Sequence, residues 1–344
     1  MALSRLAIAK VDLAKLDQIR DLENVAIVSY FFALDGRLSA FVWEKGKPVK
    51  SVEVSVTEVE LAKDVEEAHK KIKNSIFFKR DGKELFDKLL KPLSLTAKHL
   101  VIIPDKHLWK IPFQALSPDG ERYLIEEKLV SYSPSVSLLL EHLSQPKPNR
   151  RTIRAFSNSS FNKLNLRFAD AEASSIAGLY RSSAYLAATA ADLQRHSANA
   201  DMIHLSMHAQ VDGEQPLESF LAFRATGAHD GRVTVNDLLN LNLKKGSLVF
   251  LASCDTNNVL NGEGLVSLAW GAMGAGATTV ISAQWEANDK MTGIFTQAFY
   301  RYYKAGLSSA EALQKASMQM IKNKSNNMHE PYYWADFTVN GDFR

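Results

Sequence analysis

One cysteine, Cys254, is all the thiol chemistry this 344-residue chain has. A lone thiol cannot close a disulfide within the chain. That excludes the stapled secreted scaffolds and leaves a free sulfur, the ordinary state in a reducing cytosol. Charge of one sign is missing too: 41 Lys and Arg stand against 38 Asp and Glu, a net charge of +3. With acids and bases interspersed, no basic stripe argues for nucleic acid or an anionic membrane. No apolar run reaches the ~18 residues a membrane helix needs. "MALSRLAIAKVDLAKLDQIRDL" (1–22) alternates charge with Leu and lacks the continuous apolar stretch of a secretory signal. No GxxxxGK[ST] is present, so a nucleotide motor is not expected, and no low-complexity segment or internal repeat appears. "GAMGAG" (271–276) sits inside a helical pattern and is no phosphate cradle. No metal or cofactor motif stands out.

What is present is an ordinary globular balance, 46% hydrophobic and 23% charged, long enough for two domains or one large α/β unit. Residues 1–22 space their Leu residues as an amphipathic leader helix. Residues 25–34 and 38–43 flank "DGR" as a β-hairpin, and 49–56 adds a strand. Helical patterns follow at 57–74 and 82–91, a strand at 99–105, and a helix at 134–144. "QPKPNRR" (145–151), with two prolines and three basic residues, is the best linker in the chain. Beyond it strands and helices alternate. Strands are expected at 152–158, 183–187, 201–208, 219–225, 247–254, 278–285 and 333–341. Helices are expected at 169–180, 189–196, 234–241, 264–276, 289–305 and 308–323. Near-continuous apolar strands alternating with helices imply a mostly parallel sheet covered on both faces. The organisation expected is a leader helix (1–22), an α/β subdomain (23–150) and a second α/β unit (151–344).

Two of those strands end on reactive side chains. "DMIHLSMH" ends at His208, and "LVFLASC" ends at Cys254, 46 residues later (254 − 208). In open parallel sheets, reactive groups collect beyond the carboxyl ends of the strands. If the two strands are neighbours, an imidazole and a thiol face one crevice, the arrangement of covalent cysteine catalysis. Backbone N–H groups beside them can hold an oxyanion. The bland reading of a buried cysteine is a small hydrophobe. His204, four residues before His208, lacks the Glu of HExxH and sits in a strand, so it reads as a core or supporting residue and not a zinc ligand. His69, His99, His107 and His142 have no cysteine near them in sequence and read as structural or surface residues.

Taken together, six stretches in order resemble the CHAT family of caspase-like cysteine proteases. They are "LVIIPDKHLWKIPFQAL" (100–116), "YLIEEKLVSYSPSVSLL" (123–139), "DMIHLSMHAQ", "LVFLASCDTN", "GEGLVSLAWGAMGAGATTVISAQWEAND" (262–289) and "EPYYWADFTVNGD" (330–342). The resemblance implies a caspase-like three-layer α-β-α sandwich with a mostly parallel central sheet, preceded by a degenerate pseudo-caspase-like subdomain. It implies Cys254 as nucleophile and His208 as its acid/base partner, with the backbone N–H groups of Cys254 and Ala209 as oxyanion hole. Two positions depart from the family pattern: Ala209 stands where Gly is usual, and Asp255 where Glu is usual. Ala at that position is restricted if the turn needs φ > 0.

The substrate implied is a protein or peptide. The Asp that often stands two positions before the nucleophile in Arg-selective relatives is here Ala252. Asp255, Glu286 and Asp289 are the carboxylates left to favour a basic P1 residue, and Trp285 is the candidate groove wall. Arg224 and Arg232 are remote from both motifs, so an acidic P1 is the least expected; a medium apolar P1 stays open. The family's regulation implies an activating protein or sensor partner and, in bacteria, defence targets. Segments 211–233, 255–263 and 286–291 are the expected moving parts. Two other readings stay open: a non-catalytic regulatory or scaffold domain, motivated by Ala209, and a small-molecule acyl hydrolase using the same dyad.

Overall fold

The computed structural model describes residues 13–74, 78–162, 164–253 and 267–344. In the first half, α1 (Leu13–Gln18) leads into the strands β1 (Val25–Phe32), β2 (Arg37–Glu44) and β3 (Lys50–Thr57), then α2 (Glu58–Lys73), α3 (Lys79–Leu89), β4 (His99–Ile103), β5 (Leu129–Tyr132) and α4 (Val136–Leu143). The hairpin between β1 and β2 pairs Phe32 with Leu38, and Gly36 in its turn takes φ +81°, where a side chain is strained. At the start of α2, Thr57 and Glu60 cap each other reciprocally, which ends β3 and starts the helix within one residue. Only residues 13–22 of the expected leader helix are described. There α1 and a short 3-10 turn bury Leu16 and Leu22, while Asp21 pairs with Lys147 and Arg344.

The second half runs β6 (Ile153–Asn158), the small hairpin β7 (Ser160–Phe161) and β8 (Leu164–Asn165), α5 (Ala169–Leu179), α6 (Ala190–His196), β9 (Met202–Met207), β10 (Ala209–Gln210), β11 (Phe220–Ala222), β12 (Arg232–Thr234), α7 (Val235–Leu239), β13 (Leu248–Leu251), α8 (Leu268–Gly274), β14 (Thr279–Ala283), α9 (Asp289–Lys304), α10 (Ser309–Ile321) and β15 (Phe337–Gly341). Short side chains close most of these starts. Thr189 caps α6, Thr234 caps α7, Ser267 caps α8, Asn288 caps α9 and Ser308 caps α10.

Both halves share one ten-stranded sheet in the order β3-β2-β1-β4-β5-β15-β14-β13-β9-β6. β1, β4, β5 and β15 run parallel to one another, and so do β14, β13, β9 and β6. The two sets meet at β14 and β15, which pair antiparallel from Thr279↔Gly341 to Ala283↔Phe337. The sheet therefore crosses the 150/151 junction without a break, and one apolar cluster contains residues from both sides of it. Strands β9 and β13 are buried along their whole length, as strands covered on both faces must be. Val249, Leu251, Ile203 and Leu205 face α7 and α8, whereas Met202, Leu248 and Phe250 face the side of α9.

Several local expectations need correction. Residues 183–187 contribute a single parallel bridge, Phe156↔Tyr185, at the edge of β6, and no strand. The closing strand, expected at 333–341, is shorter, 337–341, and lies in the middle of the sheet between β5 and β14. Strands β5, β7, β8, β10 and β12 carry too few residues for period-two alternation to register. The expected helix at 264–276 is seen from Leu268; residues 264–266 lie outside the described residues.

Candidate functional site

The carboxyl ends of β6, β9, β13 and β14 share one edge of the sheet. β9 lies between β6 and β13, with Leu248↔Met202 running to Leu251↔Leu205 on one side and Ile153↔Met202 to Asn158↔Met207 on the other. The ladder holds one step further, where the Ala252 N–H donates to the Leu205 carbonyl at 2.9 Å. The amino ends are tied by Asp201. Its Oδ2 accepts from the Arg151 and Thr152 N–H groups, each at 3.0 Å, and Oδ1 pairs with Lys244. Cys254 and Asp255 lie outside the described residues.

His208 is the first residue beyond β9, and it is half-buried. Its Nε2 is buried and has no hydrogen-bond partner among the described residues. Burial pushes the imidazole below its ordinary value of 6.5. The Leu164 backbone carbonyl, Asp289 and Glu286 pull the other way, in that order, without overcoming it. The ring at rest is therefore neutral at neutral pH, the form that accepts a proton. Leu164 is delivered by the β7–β8 hairpin, which folds over the strand end. Asn158 pins that hairpin, donating from Nδ2 to the Ser160 carbonyl at 3.1 Å and the Ala222 carbonyl at 2.9 Å.

Asp289 opens α9 and is half-buried. Its Oδ2 accepts from the Phe168 N–H at 2.9 Å. Burial raises its carboxyl above the ordinary value. The backbone N–H groups of Phe168 and Arg167 and the nearby His208 oppose that rise, and Glu172 adds to it. Glu286 is exposed in the loop ahead of α9. The edge thus gathers His208, Ala209, Glu286 and Asp289.

Ala209 begins β10, which pairs antiparallel with β11 through Ala209↔Leu221. The Ala222 N–H donates to the His208 carbonyl at 2.8 Å. That bond makes His208 and Ala222 the hydrogen-bonded pair and leaves the Ala209 N–H pointing out of the ladder. Its φ is not positive, so alanine fits where the family favours glycine.

Trp285 is a correction. It is wholly buried, donates from Nε1 to the Tyr332 carbonyl at 3.1 Å, and meets the His69 ring edge-on at 5.6 Å. Among the described residues it is a core side chain and walls no groove. Sequence reasoning missed the Leu164 carbonyl, a backbone atom with no residue signature, and Glu172, which no motif marks. His204 is wholly buried beside Glu172, in keeping with a core role. Among the described residues, no cluster of three or more His, Cys, Asp and Glu side chains could hold a metal ion, and no helix is long and apolar enough to cross a membrane.

The mixed α/β fold around a large, mostly parallel sheet is caspase-like. In solved structures the chain is similar to the Saccharomyces cerevisiae separase–securin complex, on which it superimposes with a TM-score of 0.64, at 11% identity, over 96% of its own length and 30% of the other chain. The family model of the CHAT domain matches residues 79–342, and the chain belongs to that family. Among curated proteins it is similar to tetratricopeptide repeat protein 28 of Mus musculus, 32% identical over 109 residues, and of Homo sapiens, 28% identical over 109 residues. Those stretches are 32% of this chain and 4% of each relative's length.

Proposed function

We propose that this CHAT protein is a cysteine endopeptidase in which His208 activates the Cys254 thiol. One observation carries the reading. β9 and β13 are parallel neighbours in a register that pairs Leu205 with Leu251, an offset of 46 (251 − 205). His208 and Cys254 have the same offset, each three residues beyond those partners. Neutral His208 takes the thiol proton, and the sulfur attacks the scissile carbonyl carbon. The N–H groups of Ala209 and Cys254 hold the oxyanion. The imidazolium then protonates the leaving amine as the C–N bond breaks, and water hydrolyses the thioester, its proton passing through the imidazole. The Leu164 carbonyl and Asp289 steady the ring while it is charged.

Glu286 and Asp289 are carboxylates beside that imidazole, and they support a basic P1 residue, with Asp255 as a further anchor. The substrates are proteins, selected by a partner. The curated relatives are named for tetratricopeptide repeats, which supports a CHAT unit working beside a helical-repeat module, and the separase structure holds a bound partner, securin. In bacteria, defence targets fit this reading. The test is a peptide-library cleavage profile, with and without candidate repeat-containing partners, on the protein and on Cys254→Ala and His208→Ala. Cleavage after Lys or Arg that both variants lose by at least ~10³-fold is expected. Undiminished peptidase activity in Cys254→Ala refutes the assignment. Cys254 inert to a basic peptidyl electrophile, with no cleavage under any condition, selects a scaffold role.

A further inference from the structure

Below the edge that carries His208, polar side chains that the chemistry leaves unused meet in an apolar interior. Glu172 of α5 is 5% exposed, Ser206 of β9 is 2% exposed, and His204 of β9 and Thr296 of α9 are wholly buried. Glu172 Oε2 accepts from the Ser206 hydroxyl at 2.8 Å, and Oε1 accepts from the Thr296 hydroxyl at 2.7 Å. His204 Nε2 lies 3.2 Å from the same Oε1, off the direction a hydrogen bond requires. On its other side His204 Nδ1 is 3.5 Å from the Tyr300 hydroxyl, and the two rings meet edge-on. A carboxyl group in such surroundings is costly unless its oxygens are hydrogen-bonded. Here both are, and by hydroxyls from two different elements. One side chain of α5 thereby fastens β9 and α9.

Each fastened element carries a group that bears on His208. β9 delivers His208 itself, two residues beyond Ser206 and so on the same face of the sheet. α9 begins at Asp289. α5 is entered through Phe168, whose N–H holds the Asp289 carboxylate, and is preceded by the hairpin that presents the Leu164 carbonyl. The side chains that face the imidazole electrostatically are Asp289 and Glu286, and Glu172 in turn interacts with Asp289. Sliding α5 or α9 along β9 would pull both ring partners out of place, and Glu172 is hydrogen-bonded to both β9 and α9 against that slide.

We propose that Glu172 is a positioning residue for His208: its two carboxyl oxygens lock α5, β9 and α9 in the one placement that brings the Leu164 carbonyl and Asp289 to the imidazole. This rests on the reading of His208 as acid/base, but it acts on the ring and is measurable without turnover. The experiment is a double-mutant cycle on the full chain, following the His208 ring by NMR through a pH titration. Asp289→Asn lowers the His208 midpoint in the native background. In Glu172→Ala that lowering vanishes, while Glu172→Gln, which keeps the volume and one acceptor, retains it. In peptidase assays Glu172→Ala loses on the order of 10- to 100-fold in kcat with KM unchanged, and Glu172→Gln stays within about 3-fold. Should Glu172→Ala not fold, Ser206→Ala and Thr296→Val, each lacking one hydroxyl, are read the same way. Full His208–Asp289 coupling in Glu172→Ala, with only a lower melting temperature, overturns the proposal. An intact NMR cycle in a protein that cleaves nothing upholds it and refutes the peptidase reading instead.

Discussion

In the mechanism we propose, His208 is the side chain on which most of the chemistry turns, and its surroundings set the pH at which it would work. Burial favours the neutral ring, whereas the Leu164 carbonyl, Asp289 and Glu286 favour the charged one. With burial ahead, the acid limb of the kcat/KM profile is expected below 6.5, the ordinary imidazole value. Asp289→Asn removes one of the groups that raise the value. That variant moves the limb to lower pH, and a limb that stays put or rises shows that Asp289 does not face the ring in solution. At this scale the sequence was informative where a reactive side chain closes an apolar run. His208 is found just beyond the carboxyl end of β9 for that reason, while Cys254 lies outside the described residues. The carbonyl of Leu164 is not, because any residue supplies one. Trp285 misleads because an aromatic at a strand end reads equally as groove wall or core, and only its bond to the Tyr332 carbonyl and its complete burial decide for the core.

Among the elements, β10 is two residues long, yet it aims the Ala209 N–H away from its ladder. Proline at an edge position outside the ladder costs no sheet hydrogen bond. Under the proposed oxyanion role, Ala209→Pro is expected to keep the fold by circular dichroism and to lose about 10²- to 10³-fold in kcat, the usual toll for one oxyanion donor. Ala209→Gly, with the N–H kept, stays near the native rate. Equal rates for the proline variant and the native protein in steady-state peptide assays exclude the N–H from the site. Elements with several turns or several alternations were legible from pattern alone, such as β1 to β3, α2, α9 and α10. Their ends follow from Thr57, Asn288 and Ser308, short polar caps that sequence displays openly. Segment 183–187 looks like a strand and is not one. Its single bridge to Phe156 lies at an open edge where no second neighbour rewards pairing.

At the scale of the molecule, stability carries a signature of its own. Asp336, between the core residues Trp334 and Phe337, is 1% exposed, and burial pushes its carboxyl up to about 8, despite its own N–H and that of Phe337. Below its ordinary value of 3.8 the group is protonated in folded and unfolded chains alike. Between 3.8 and about 8 only the folded chain holds the proton. Rising pH therefore draws the population toward the unfolded state, by up to ~1.4 kcal/mol per pH unit. Asp336→Asn removes that slope. Its melting temperature relative to the native protein is expected to climb from pH 5 to pH 8, about where the folded group ionises; parallel curves from scanning calorimetry contradict the assignment. Strand order was the least legible property of all. Apolar runs name the strands, but nothing in "FTVNG" (337–341) says that it slots between β14 and β5, because a fully buried strand looks the same beside any neighbour.

That placement makes β15 a keystone in time as well as in space. During synthesis the two parallel sets are made long before residues 337–341 emerge from the ribosome, so each waits with a bare margin of unpaired amides. A nascent chain stalled or clipped ahead of Phe337 would display two sticky edges at once and invite aggregation or capture by chaperones.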